Sequence, residues 1–268
     1  EKITGRTHDL AVARNAEGKP MTFDLWQWGL LFLGALVVGL AKTGIPGVSI
    51  LFVGLLANAM PARQATGVIL PLLILGDVFG VLLYRRHTEW RHLWKLFPWT
   101  MAGVVIGWLA LGHIDDGQTR RLLGAILATM LILHYWRKFR PAPDDTLVAH
   151  APLWVAAGTG LLAGFTTLVA NAAGSVMTIY LLAMRLPKMG FLGTNAVFFL
   201  LLNWFKVPFM VNLGLINHDS LALNLKLAPA VIVGCLIGRY AAARMNQQVF
   251  EQTALLLTGL ATVKLLIF

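Results

Sequence analysis

From Leu25 to Met60 the chain reads LWQWGLLFLGALVVGLAKTGIPGVSILFVGLLANAM, an apolar run broken near its middle by Gly39-Leu-Ala-Lys42-Thr43-Gly44-Ile45-Pro46-Gly47-Val-Ser49. A helix needs about 20 apolar residues to cross roughly 30 Å of hydrocarbon, so this run is far too long for one span. Glycine and proline stop a helix inside the layer and let another start. The run is therefore either a broken span with an extension or a hairpin of two half-helices that enters and leaves on one side. A second overlong run extends from Pro152 to Met184, interrupted at Asn171-Ala-Ala-Gly174-Ser175.

Six further apolar segments surround these two: Ala65 to Tyr84, Leu93 to Leu111, Thr119 to Trp136, Phe191 to Leu213, Leu227 to Ala243 and Val249 to Ile267. In lipid only a helix satisfies its own N–H and C=O groups along such a run. Composition agrees, with 57% hydrophobic residues, 13% charged residues and a mean hydropathy of +0.71. A soluble domain carries about 25% charged residues, so a water-soluble enzyme is excluded, as are disorder, collagen and coiled coil. The expected fold is an all-α polytopic membrane protein with about eight hydrophobic segments in two tandem repeats, the first segment of each repeat broken mid-membrane. Net charge is +10, yet the basic residues bracket apolar stretches, as in Arg85, Arg86, Arg91 and Lys95 or Arg137, Lys138 and Arg140. That is loop patterning rather than a nucleic-acid surface. Cys235, the single cysteine, sits in an apolar run and reads as a small hydrophobe.

Four stretches organise the chain: a polar tail over 1–24, a first transmembrane repeat over 25–136, a basic and proline-containing linker over 137–151, and a second repeat over 152–268. The tail lacks the apolar core of a signal sequence, and Met21 is a candidate natural start. Setting Pro61 against Pro187 brings Gly67 onto Gly193 and Asp77 onto Asn203; after a short insertion Lys95 meets Lys226, Pro98 meets Pro229, Gly103 meets Gly234 and Gly107 meets Gly238. Duplication with interrupted helices in matching places points to a secondary transporter whose site lies between the repeats. If all eight segments span, Lys and Arg divide thirteen to seven in favour of the side holding both termini, which would make that side cytoplasmic and the repeats parallel. If both overlong runs are re-entrant, the repeats invert and the division is nine to eleven. The charge rule favours the first arrangement.

The two breaks supply the candidate chemistry. A helix start offers free N–H groups and the positive end of a dipole, and glycine lets an anion approach the backbone. Two starts facing each other make an anion cradle, to which Lys42, Thr43, Gly44, Gly47, Ser49, Asn171, Gly174 and Ser175 would contribute. Ionisable residues at membrane depth are costly and mark function; here they are Lys42, Asp77, Lys206 and Arg239. Asp77 either couples protons or pairs with a lysine. Lys206 reads as an anion contact, and Arg239, near a segment end, as a snorkelling side chain. His87, His92, His113 and His218 fall in loops and are expected to be solvated. Thr66, Thr194, Asn195, Asn203 and Lys206 would line the pathway. An intramembrane enzyme would need a second deep carboxylate beside Asp77, a Gly-x-Ser-x-Gly elbow or clustered metal ligands, and the chain offers none of these.

The stretch Asn171-Ala-Ala-Gly174-Ser175-Val-Met177 with Tyr180-Leu-Leu, then Leu186-Pro187-Lys188, Phe191-Leu-Gly193-Thr194-Asn195 and Asn203-Trp-Phe-Lys206-Val-Pro208, closely resembles the second repeat of the TauE/SafE sulfite exporter family. Gly39 to Gly47, Pro61-Ala-Arg63-Gln64-Ala-Thr66-Gly67, Leu70-Pro71 and Gly76-Asp77 resemble its first repeat, so the likeness runs from about Trp26 to the C-terminus. Where members of that family often carry glycines, this chain has Ala170, Ala172 and Ala173. The resemblance implies a bacterial inner-membrane permease that moves sulfite or an organosulfonate such as sulfoacetate, usually outward. An anion channel or an uptake permease is the alternative, and an intramembrane enzyme a remote one. Expected partners are the small anion and membrane lipid, with proton coupling and a homodimer left open and no nucleic acid. No cofactor or metal is expected; nothing resembles a nucleotide-binding loop, so ion gradients or potential would drive transport.

Overall fold

The computed structural model describes residues 23–45, 48, 52, 55, 60, 62–110, 125, 128, 129, 132, 153–171 and 173–267. Within them the chain forms α1 (Leu25–Thr43), α2 (Ala62–Tyr84), a 3-10 turn (Arg85–His87), α3 (Trp90–Ala110), α4 (Leu153–Ala170), α5 (Ala173–Ala183), α6 (Lys188–Asn212), α7 (His218–Arg244) and α8 (Gln247–Ile267). The all-helical class expected from hydropathy holds, with no strand among the described residues. Helices α1, α3, α6 and α7, and α2 from Gly67 into the turn, are long and apolar enough to cross a membrane, while α4 and α5 are shorter apolar helices. The expected segment Thr119 to Trp136 and the linker fall outside the described residues, save four isolated positions of the segment. Helix starts follow local chemistry. Asn217 Oδ1 accepts the Ser220 N–H at 2.8 Å while Ser220 Oγ accepts the Asn217 N–H at 2.9 Å, a reciprocal cap for α7. Large apolar side chains such as Trp94, Trp154, Leu225 and Leu236 stand exposed on outer faces, where lipid rather than water is the natural solvent.

The tightest packing crosses from one half of the chain to the other: α1 lies along α7, α3 along α4 and α2 along α6. Gly39 approaches α7 so closely that a methyl group there would overlap the Val231 carbonyl and the Cys235 amide. Gly164 stands in the same way over the Thr100 carbonyl and the Val104 amide of α3. In return Gly234 rests on the Leu36 carbonyl of α1, and Gly103 on the Leu161 carbonyl of α4. Gly67 meets the Leu215 carbonyl just past α6, and Gly193 meets the Tyr84 carbonyl at the end of α2. Pairs matched by sequence thus have matched neighbours, each in the opposite half. One interface occurs twice, and the absence of a Cβ is what permits helix backbones to touch there.

These contacts also fix direction. The start of α2 at Gly67 meets the chain just after α6, the start of α6 at Gly193 meets the end of α2, and their middles meet where Asn203 Nδ2 donates to Asp77 Oδ2 at 2.7 Å. Helices α2 and α6 are therefore antiparallel, and the two halves are inverted relative to each other. Within the first half, Val38 and Lys42 of α1 pass Gly76 and Gly80 of α2 in the same order, so α1 and α2 run parallel. Across the halves, α3 of the first half runs with α6 of the second, from Glu89 beside Thr194 to Trp108 beside Phe209, and α4 runs with α3, so α4 and α6 of the second half run parallel. Helix α5 brings the chain back between α4 and α6, so the run from Pro152 is a hairpin. The parallel arrangement favoured by the thirteen-to-seven charge division is corrected here. In the inverted arrangement the basic residues divide nine to eleven, too evenly for loop charge to reveal it.

Candidate functional site

At the level where α2 and α6 cross, four polar side chains are buried in the middle of the apolar layer. Asp77 is fully buried; its Oδ1 lies 2.7 Å from Lys42 Nζ, and its Oδ2 takes the Asn203 amide. The Lys42 ammonium also stands over the Phe199 ring, 4.3 Å from its centroid, a favourable position for a desolvated cation. Lys206, fully buried on α6, donates to Asn171 Oδ1 at 2.6 Å, to the Thr167 carbonyl at 3.1 Å and to Thr167 Oγ1 at 3.3 Å. Among the described residues each of these hydrogen-bond partners is a neutral oxygen. Lys42 and Asp77 cancel, so among the described residues a protonated Lys206 leaves the cluster with one positive charge.

A cavity of about 40 Å³ opens beside this cluster. Ala41, Lys42 and Phe52 line it from the first break and its flanks, Thr167, Asn171, Gly174 and Thr178 from the second, and Leu73, Asn195, Phe199 and Asn203 from α2 and α6. Both interruptions therefore reach one chamber. Its volume is several times the 10–15 Å³ or so that a single water needs, enough for a small oxyanion and too little for a nucleotide or sugar. Asn171 ends α4 in the left-handed region, with φ of 51°, a conformation that asparagine tolerates better than most residues. That turn sets the first residues of α5 at the chamber wall, with their free amides and the positive end of the helix dipole.

Of the residues expected from sequence, Lys42, Asn171, Gly174, Asn195 and Asn203 line the chamber, with Asp77 and Lys206 directly behind them. Others do different work. Thr43 Oγ1 donates to the Gly39 carbonyl at 3.0 Å and the Cys235 carbonyl at 2.8 Å, and its own carbonyl takes the Tyr84 hydroxyl at 2.8 Å, so it ties α1 to α7 and α2. Gly44 is pressed on Gly238. Thr194 Oγ1 accepts the Glu89 N–H at 2.9 Å and secures the approach to α3, and Thr194 is not among the lining residues although its neighbour Asn195 is. Ser175 is buried in α5 but does not line it. Gly47 and Ser49 lie outside the described residues, as does the side chain of Thr66. Sequence reasoning missed Thr167, Thr178 and Phe199. It also expected His92 in water, whereas the ring is half-buried with Nδ1 3.1 Å from the Tyr180 hydroxyl. No group of three metal-binding side chains occurs among the described residues.

Residues 31–265 match the family model described as Sulfite exporter TauE/SafE. The chain belongs to that family. TauE/SafE proteins are membrane transporters of sulfur anions, and membership makes this chain a multi-pass permease of that general class. No curated protein and no solved structure matches it. A transport role for this TauE/SafE chain is consistent with a centre that holds buried charged side chains around a small chamber.

Proposed function

We propose that this TauE/SafE protein is a secondary transporter that carries a small sulfur-containing anion, sulfite or an organosulfonate such as sulfoacetate, out across the bacterial inner membrane. Alternating access at the interface between the inverted halves would expose the chamber to each side in turn. The observation that carries this reading is Lys206, a fully buried ammonium beside the chamber whose hydrogen-bond partners are neutral oxygens. Desolvating such a charge costs several kcal/mol, and a charge kept at membrane depth marks a substrate or ion path. A sulfur oxyanion is a fitting counter-ion: its delocalised charge would stand close to the lysine behind the wall, and its oxygens would accept from the α5 amides. Asp77 serves here to hold Lys42 in place. The substrate-binding set is Lys42, Asn171, Gly174, Asn195, Asn203 and Lys206, with Thr167 added.

A thermal-shift screen of sulfite, sulfoacetate, taurine, thiosulfate and sulfate on the purified protein tests the assignment. A ligand at about 100 times its dissociation constant stabilises the folded form by roughly 2.7 kcal/mol, and Lys206→Ala should abolish the shift. If no sulfur anion moves the melt while an unrelated solute does, the assignment is wrong. Flux into liposomes separates carrier from channel, since a channel would not concentrate the anion when a pH gradient is imposed.

A further inference from the structure

We infer that the chamber takes its passenger as a monoanion, hydrogensulfite or a sulfonate, and rejects dianions such as sulfate and fully ionised sulfite; the inference rests on the transport reading above. Among the described residues, three charged groups surround this centre. Lys42 comes from α1, Asp77 from α2 and Lys206 from α6, and the first two neutralise each other at 2.7 Å. The other titratable groups packed here are the Tyr84 hydroxyl, which donates to the Thr43 carbonyl, and the Cys235 thiol on α7. Neither type carries charge at neutral pH in its ordinary range. Arg239 is exposed on the outside of α7. One positive charge is thus left over, and one negative charge completes it. A dianion would leave a net negative charge buried in a medium that solvates ions poorly, the circumstance buried groups avoid.

A second feature points the same way. Asn195 Oδ1, on the chamber wall, is sealed from solvent and has no hydrogen-bond partner. An unsatisfied buried acceptor is costly until a donor arrives. A small rotation of the Asn195 side chain would bring this oxygen to the proton that hydrogensulfite carries, while the remaining oxygens face Lys42 and the α5 amides, with Lys206 behind the wall. Ionised sulfite and sulfate have only lone pairs to present to Asn195. The chamber volume of about 40 Å³ also suits an ion of this size.

The test is a binding titration on the intact purified protein with three probes. Methanesulfonate is a monoanion at every pH near neutrality, sulfate is a dianion throughout, and sulfite changes from one to the other. Methanesulfonate should bind with little pH dependence and sulfate should not bind. The apparent affinity for total sulfite should fall about tenfold per pH unit once hydrogensulfite becomes the minor form, because only that fraction is competent. Asn195→Leu should weaken hydrogensulfite and spare methanesulfonate. Asp77→Asn raises the excess to two positive charges and should admit sulfate. Lys42→Met combined with Asp77→Asn returns the excess to one and should exclude it again; if a variant does not fold, the three probes on the parent protein decide alone. Sulfate binding as tightly as methanesulfonate, or sulfite affinity that stays flat across its ionisation, overturns the monoanion inference and leaves the transport reading standing. Failure of all three probes to bind overturns both.

Discussion

Replacing Gly39 and Gly164 by alanine, one at a time, asks whether the protein truly contains the same interface twice. A Cβ at Gly39 would run into the Val231 carbonyl and the Cys235 amide, and at Gly164 into the Thr100 carbonyl and the Val104 amide. Both obstacles are helix backbone, which cannot swing aside as a side chain can. Overpacking typically costs about 1–3 kcal/mol, and the upper end applies where the neighbour cannot yield; alanine returns up to about 1 kcal/mol through helix propensity. The expected net loss is about 2 kcal/mol for each variant, and the two should agree within roughly 0.5 kcal/mol because in both the nearest obstacles are a helix carbonyl and the amide four residues on. Gly29 and Gly158, where a Cβ meets nothing within 4 Å, are the internal controls. Alanine there should be neutral or stabilising by up to about 1 kcal/mol. The assay is unfolding in mixed micelles of increasing denaturing-detergent content, followed by fluorescence of the nine tryptophans. A spread of about 3 kcal/mol between test and control positions exceeds a hundredfold in the folding equilibrium. Gly39→Ala behaving like Gly29→Ala, or Gly39→Ala and Gly164→Ala parting by more than about 1 kcal/mol, would refute the duplicated-interface reasoning.

The buried ion pair makes a second expectation: Lys42→Met alone should destabilise by about 3–5 kcal/mol, because the Asp77 carboxylate stays buried with only Asn203 for company, and adding Asp77→Asn should recover most of that loss in the same unfolding assay. Lys206→Met should fold well, since it removes a charge without stranding an opposite one, yet lose the ligand-induced stabilisation of roughly 2.7 kcal/mol expected at about 100 times the dissociation constant; retained ligand protection would show that Lys206 does not meet the anion. Thr194→Val should cost about 1–3 kcal/mol by leaving the Glu89 N–H at the head of α3 without its acceptor, with ligand affinity unchanged in a binding titration.

How much of this was readable beforehand depends on what each residue type can mean in lipid. Lys42, Asp77 and Lys206 were legible because a charge inside an apolar run has few bland explanations, and the pairing of Asp77 with Asn203 was legible because duplication put them in register. That the two equivalent residues touch each other follows from inversion about a line through the α2–α6 crossing. Thr43, Gly44 and Thr194, expected at the site, stand outside the chamber lining for the opposite reason. Small and hydroxyl-bearing residues serve helix packing and ligand contact with the same letters, and only the approach of α7 to α1 and of α3 to α6 tells which. Thr167 was within reach: counted from Gly39 and Gly164, it occupies in the second half the place that Lys42 occupies in the first. Phe199 and Thr178 were not, because a pocket wall assembled from α5 and α6 leaves no periodic trace in either helix. Helix direction was hidden as well, since the inverted arrangement gives no strong imbalance of basic loops.

The reciprocal glycine seams decide which pieces of the protein can travel together. Backbone packed on backbone ties α1 to α7 and α4 to α3, so each of these pairs joins one half of the sequence to the other. A cut between the first and second halves of the chain would run straight through both pairs. In the alternating-access reading proposed above, rocking falls to the junction of α2 with α6, where Asp77 and Asn203 meet across the divide. On that reading, the units that move are assembled across the two halves of the chain rather than within either one.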